Sequence, residues 1–185
     1  MPEERTRKIV IAGIMSAIAI FLGVTRLGFI TWFSGASLTI MHVPVIIGAI
    51  LEGPVVGLVI GLIFGVSSMI QAAVAPGGPA DALFTNPLIS VLPRLFIGPV
   101  AWLVWKSLKN IPAAGLIVAG ALGSLTNTIL VLTMIAMVAN FSPTQLLPIV
   151  VANGLPEAVG SALIVLVVVG AWLRIRIGRK QGANL

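Results

Sequence analysis

The chain has 185 residues, 58% of them hydrophobic and only 9% charged, and a mean hydropathy of +1.15; soluble domains carry about 25% charged residues. Eleven Lys and Arg and five Asp and Glu cannot clothe a domain of this size in water, which excludes soluble enzymes and nucleic-acid modules and leaves an integral membrane protein. At roughly 20 apolar residues per crossing, the length accommodates about six or seven helical spans and no soluble ATPase domain.

The first expected span, 9–28, follows a basic start, Arg5, Arg7 and Lys8, and carries small residues four apart, Ala12 with Ser16 and Gly13 with Ala17. Such faces permit close helix packing, against either an internal helix or another protein. A signal peptide is the alternative, with Ser34-Gly35-Ala36 as the small-residue stretch, but its removal would leave five spans and spoil the charge balance described below. The loop 28–37 brings Trp32 and Phe33, either as part of a lid over a solute or as an interfacial aromatic belt. Span 2, 38–51, is short for a full crossing and ends at Glu52-Gly53-Pro54, a possible tight re-entry.

Span 3, 54–74, carries a second small-residue series, Gly57, Gly61 and Gly65, and leads into the Gly/Pro-rich segment 75–86 with Phe84 and Asn86. Span 4, 87–106, holds Arg94; span 5, 113–138, holds Asn127; span 6, 145–173, holds Asn153 and Glu157. The chain is thus expected to be an all-α bundle of six transmembrane helices and a single transmembrane domain over 1–185. No convincing internal repeat is visible.

Nine of the eleven basic residues fall in three clusters: Arg5, Arg7, Lys8; Lys106, Lys109; and Arg174, Arg176, Arg179, Lys180. Each abuts a long apolar run, as cytoplasmic flanks do under the positive-inside rule. Six spans with both termini cytoplasmic put all nine inside, so the net charge of +6 reads as topology and not as RNA binding.

Ionisable groups within hydrocarbon cost at least a few kcal/mol and are functional candidates by default. In this topology Arg94 lies about 10 Å below the outer face and Asn153 about 12 Å, with Glu157 one turn deeper. His42 lies near the outer end of span 2, Gln71 at the outer end of span 3 and Asn127 at mid-membrane. Polar groups from five spans therefore converge on the outer half, while the inner halves are almost purely apolar, which is the geometry of a solute pocket open to the outside. The structural alternatives are an Arg94–Glu157 ion pair fixing span 4 to span 6, a packed, hydrogen-bonded His42, and interhelical amide bonds for Asn127 and Asn153. Metal binding and catalysis are not expected: there is one His, no Cys, and no ligand pair at helical spacing. No cofactor is expected either.

On these residues the chain resembles the substrate-binding S components of energy-coupling factor (ECF) vitamin transporters. The resemblance rests on the six hydrophobic spans and basic start, the pattern Ala12-Gly13-Ile14-Met15-Ser16-Ala17, the run Thr39 to Gly48 leading to Leu51-Glu52-Gly53-Pro54, and the segment Asn86 to Arg94 with its two prolines. The family motif is usually written with two alanines, so its register here lies between Ala12/Ser16 and Gly13/Ala17. The resemblance implies a non-enzymatic binding subunit of a prokaryotic plasma membrane. It would dock through those four residues onto a transmembrane T subunit carrying two cytoplasmic ATPases and hold a vitamin in its outer half. Arg94, the only cation within the outer half of the bundle, points to an anionic vitamin, pantothenate first. The expected substrate contacts are Trp32, Phe33, His42, Gln71, Phe84, Asn86, Arg94, Asn127, Asn153 and Glu157. The alternative is a stand-alone ion-coupled carrier using Arg94 and Glu157 as a charge relay.

Overall fold

A computed structural model describes residues 2–31, 37–76 and 78–174. The helices are α1 (Pro2–Val24), α2 (Val43–Glu52), α3 (Pro54–Val74), α4 (Pro87–Ser90), α5 (Leu92–Ser107), α6 (Pro112–Ala139), α7 (Pro143–Ile149) and α8 (Leu155–Trp172). A 3-10 turn, Pro79–Thr85, precedes α4, and a π-helical segment, Val150–Gly154, joins α7 to α8. Two three-residue strands, β1 (Phe29–Thr31) and β2 (Ser37–Thr39), pair antiparallel with Phe29 opposite Thr39. They add a small ribbon to an otherwise all-helical bundle.

Proline punctuation explains most of the helix starts. A proline stands in the first turn of every helix from α2 to α8, where its fixed φ suits the helix and its missing N–H leaves no bond unmade. The turn from α2 to α3 is a single residue, Gly53, at φ 100°, a conformation open to glycine at no steric cost. Asn140 ends α6 in the left-handed region at φ 55°.

Among the described residues, five apolar helical stretches are long enough to cross a bilayer: Glu3–Val24, Pro54–Val74, Pro87–Ser107, Pro112–Ala139 and Thr144–Trp172. Expected span 2 is different. Strand pairing takes residues 37–39, so only the ten-residue α2 remains helical, about 15 Å long against a hydrocarbon core of about 30 Å. Its residues Val43 to Ile50 are all buried, which makes α2 a core helix enclosed by the others. Ion pairing between Arg7 Nε and Glu52 Oε1 (2.8 Å) puts the end of α2 beside the start of α1. At the opposite end, Gln71 Nε2 donates to the Gly23 carbonyl at 2.7 Å, tying the end of α3 to that of α1.

The core centres on α2, with Ile46, Ile60, Ile97, Leu116 and Val165 fully enclosed. The row Gly57, Gly61, Gly65 faces inward, against Gly98, the Arg94 backbone and Val91. It is thus an internal packing face, α3 on α5 and α4, and not a surface for another protein. Gly120 packs in the same way on Ala162, bringing α6 against α8. Outward positions such as Phe21, Leu62, Phe96, Ile129 and Val159 are large and apolar, as lipid-facing residues must be.

Candidate functional site

Arg94 is the third residue of α5 and 5% exposed. Helix α4 ends one residue before α5 begins, so the Ile89 carbonyl faces Arg94 and accepts a hydrogen bond from its Nη1. The guanidinium carbon lies 5.2 Å from the ring centroid of Phe84, in the 3-10 turn, and 5.6 Å from that of Phe64 on α3, within reach of a cation–π attraction. Its Nε is buried without a partner. Among the described residues the ion pair is Arg7 with Glu52; Arg94 has a carbonyl and two aromatic rings around it and no carboxylate. At the start of a helix the backbone dipole also disfavours a cation, so an anion or a strongly polar ligand would be stabilised here.

Glu157 has other partners. Its Oε1 accepts from the Thr39 backbone N–H at 2.6 Å and from Thr39 Oγ1 at 3.1 Å, and its Oε2 accepts from Thr128 Oγ1 at 3.4 Å. The Arg94–Glu157 ion pair considered from the sequence is therefore not formed: the carboxylate is occupied by two threonines, one of them 118 positions away. A charge relay through these two residues has no direct contact to run through.

The remaining expected residues separate into two groups. Asn127 on α6 and Asn153 in the π-helical segment are both buried, at 8% exposure. Among the described residues Asn127 Oδ1 has no partner, nor has Ser124 Oγ one turn away or Ser90 Oγ on α4; buried polar atoms of this kind suit a polar ligand. A π-helical turn carries an extra residue and re-aims its side chains, a feature frequent at functional sites. The other group makes contacts that hold the fold, although His42 Nδ1, like Asn127 Oδ1, is buried without a partner among the described residues. Fully buried His42 places Nε2 2.8 Å from Ser161 Oγ on α8. Gln71 ties α3 to α1, and Asn86 caps α4 by accepting from the Leu88 N–H at 2.9 Å. Trp32 and Phe33 lie outside the described residues.

Sequence reasoning passed over Phe64, Ser90, Ser124, Thr39, Thr128 and Ser161. A helical-period signal was present for three of them: Ser124 and Thr128 are four apart on one face of α6, with Ser124 one turn before Asn127, and Ser161 is one turn beyond Glu157. On α1 the structure separates the two small-residue registers. Gly13 and Ala17 face outward, with nothing within 4 Å of a Cβ on Gly13. Ala12 packs against the core and Ser16 is 4% exposed, so of the two registers expected from the sequence only Gly13 and Ala17 lie open at the surface.

With that geometry established, comparison with known proteins adds two findings. The family model described as ECF transporter, substrate-specific component, matches residues 7–169. Among similar curated proteins, the pantothenic acid transporter PanT of Lactococcus lactis subsp. cremoris is 29% identical over 196 aligned positions, covering 95% of this chain and 98% of that protein. The pantothenate transporter PanT of Leuconostoc mesenteroides subsp. mesenteroides is 32% identical over 140 positions, covering 70% of this chain and 68% of that protein.

Proposed function

This chain belongs to the substrate-specific components of ECF transporters, and from that premise we propose that its solute is pantothenate, held in the half of the bundle that contains Arg94. Members of this family are multi-pass membrane binding subunits, not enzymes; they take up vitamins together with ECF T and ATPase subunits. The proposal concerns what is specific to this chain. Residues 1–185 act as one transmembrane domain in the plasma membrane with both termini cytoplasmic. The Gly13/Ala17 face docks the T subunit, which carries two ATPases.

The observation that carries the substrate assignment is the buried Arg94 guanidinium, which among the described residues has an unpartnered Nε and no carboxylate partner. A guanidinium recognises a carboxylate through parallel charge-assisted hydrogen bonds, and pantothenate has one carboxylate. Its amide and hydroxyl groups would meet Asn127, Asn153 and Ser124, with Phe84 and Phe64 keeping the ion pair dry. The names of the two relatives point to the same vitamin.

Calorimetry of the detergent-purified protein tests this, comparing pantothenate with the primary amide that replaces its carboxylate, on the wild type and on Arg94→Gln. Loss of a charge-assisted contact in a dry site costs about 2 to 5 kcal/mol, roughly 30-fold to several thousand-fold in Kd. That loss is expected for the amide on the wild type and for the acid on Arg94→Gln, with little difference between acid and amide on the variant. Equal affinity of the wild type for acid and amide would remove Arg94 as the reader of a carboxylate.

A further inference from the structure

We infer that Glu157 is a positioning residue: it holds the outer ribbon, through Thr39, against α8, and it supports ligand binding through that contact without touching the ligand itself. Glu157 occupies the first turn of α8, at 8% exposure. One oxygen takes both donors of Thr39, the backbone N–H at 2.6 Å and the hydroxyl at 3.1 Å. The other faces the Thr128 hydroxyl at 3.4 Å. Oε1 is thus fully engaged by Thr39, while the single Thr128 hydroxyl proton is shared between Oε2 and the Ser124 carbonyl, also at 3.4 Å.

Thr39 is where the ribbon enters the bundle. It pairs with Phe29, and the next residue, Ile40, donates its N–H to the Gly28 carbonyl at 3.0 Å. Ser161 lies one turn beyond Glu157 on the same face of α8 and meets His42 Nε2 at 2.8 Å. Residues 39 and 42, which flank the entry to the core helix α2, are thus held by positions i and i+4 of α8. A three-residue ribbon is not stable alone, and its charged anchor is the stronger of these two ties. The same α8 turn contacts α6 through Thr128, one residue from Asn127. Glu157 therefore joins the ribbon, α6 and α8 around the site.

The functional half of this inference rests on the pantothenate reading; the structural half does not, and hydrogen exchange of the ligand-free protein separates them. In the purified full chain, Glu157→Ala is expected to raise amide exchange over 37–42 about tenfold or more, with Glu157→Gln intermediate because its amide oxygen still accepts from Thr39, and with exchange in α3 unchanged. A ribbon that exchanges at the wild-type rate in Glu157→Ala, or exchange rising equally across all helices, overturns the inference. The Kd for pantothenate is then compared in Glu157→Gln, Thr39→Val and the double variant. Thr39→Val removes only the hydroxyl arm of this contact and leaves the backbone N–H in place, so its effect on Kd is expected to be smaller in the Glu157→Gln background than in the wild type, whereas full additivity would sink the positioning role. If pantothenate fails to bind the wild type, the substrate reading falls and the exchange comparison alone decides this one.

Discussion

Gly57 of α3 and Gly98 of α5 meet backbone to backbone: a Cβ on Gly98 would stand 2.6 Å from Gly57 Cα, and one on Gly57 2.9 Å from Gly98 Cα. One turn along α3, a Cβ on Gly61 would strike the Arg94 carbonyl oxygen. The glycine row therefore sets how closely α5 approaches α3, and with it where the Arg94 side chain stands relative to Phe64.

Gly61→Ala and Gly98→Ala are accordingly expected to destabilise the protein by about 1 to 3 kcal/mol, the usual cost of overpacking where the obstacle is backbone and cannot rotate away. Gly160→Ala, which meets nothing within 4 Å, is the control and should be near neutral. Thermal melts in detergent read the difference. Equal melting points for all three variants would mean that the helices part without cost.

On α1 the outward register makes a separate prediction. Gly13→Trp adds bulk to an open face, so pantothenate binding by the solitary protein should persist while ATP-driven uptake by the assembled transporter is lost. Ser16→Trp, at a buried position, should lower binding and stability together. Normal uptake by Gly13→Trp would move the docking interface elsewhere.

The positive-inside orientation is tested with single cysteines at Gly78 and Lys109, since the chain has none of its own. An impermeant thiol reagent applied to intact cells is expected to label position 78 and not 109. The reverse pattern would invert the topology.

Arg7 and Glu52 form an unequal pair, with side-chain exposures of 66% and 3%. Because Arg7 is mostly solvated, the contact itself contributes no more than about 1 kcal/mol, but its removal leaves a buried carboxylate at the C-terminal end of α2, where the helix dipole also opposes it. Arg7→Ala should thus lower the melting temperature more than the double variant Arg7→Ala/Glu52→Gln does. A double variant melting below the single one would show that the acid is stabilised without its partner.

Composition and the spacing of apolar runs by themselves determined that this is a multi-span helical membrane protein. The reason is that a bilayer requires stretches of a set length and forbids unpaired backbone, so the solvent writes its demand into the linear sequence. For the same reason Arg94, Asn127 and Asn153 were recognisable as candidates: polar groups are rare within such runs and conspicuous when present. Proline at the helix starts and Gly53 at the α2–α3 turn were equally legible, because φ is a local property.

Only the tertiary structure decided what each polar group touches. Glu157 and Thr39 are 118 positions apart, and hydropathy, blind to pairing, made an Arg94–Glu157 ion pair as reasonable as the threonine cradle that is found. The same holds for the two registers on α1, which differ by one residue in sequence and by about 100° around the helix; which of them faces outward depends on where α2 and α3 pack. Span 2 fell short as a helix because residues 37–39 found a strand partner across the loop, a long-range choice that local propensity does not record.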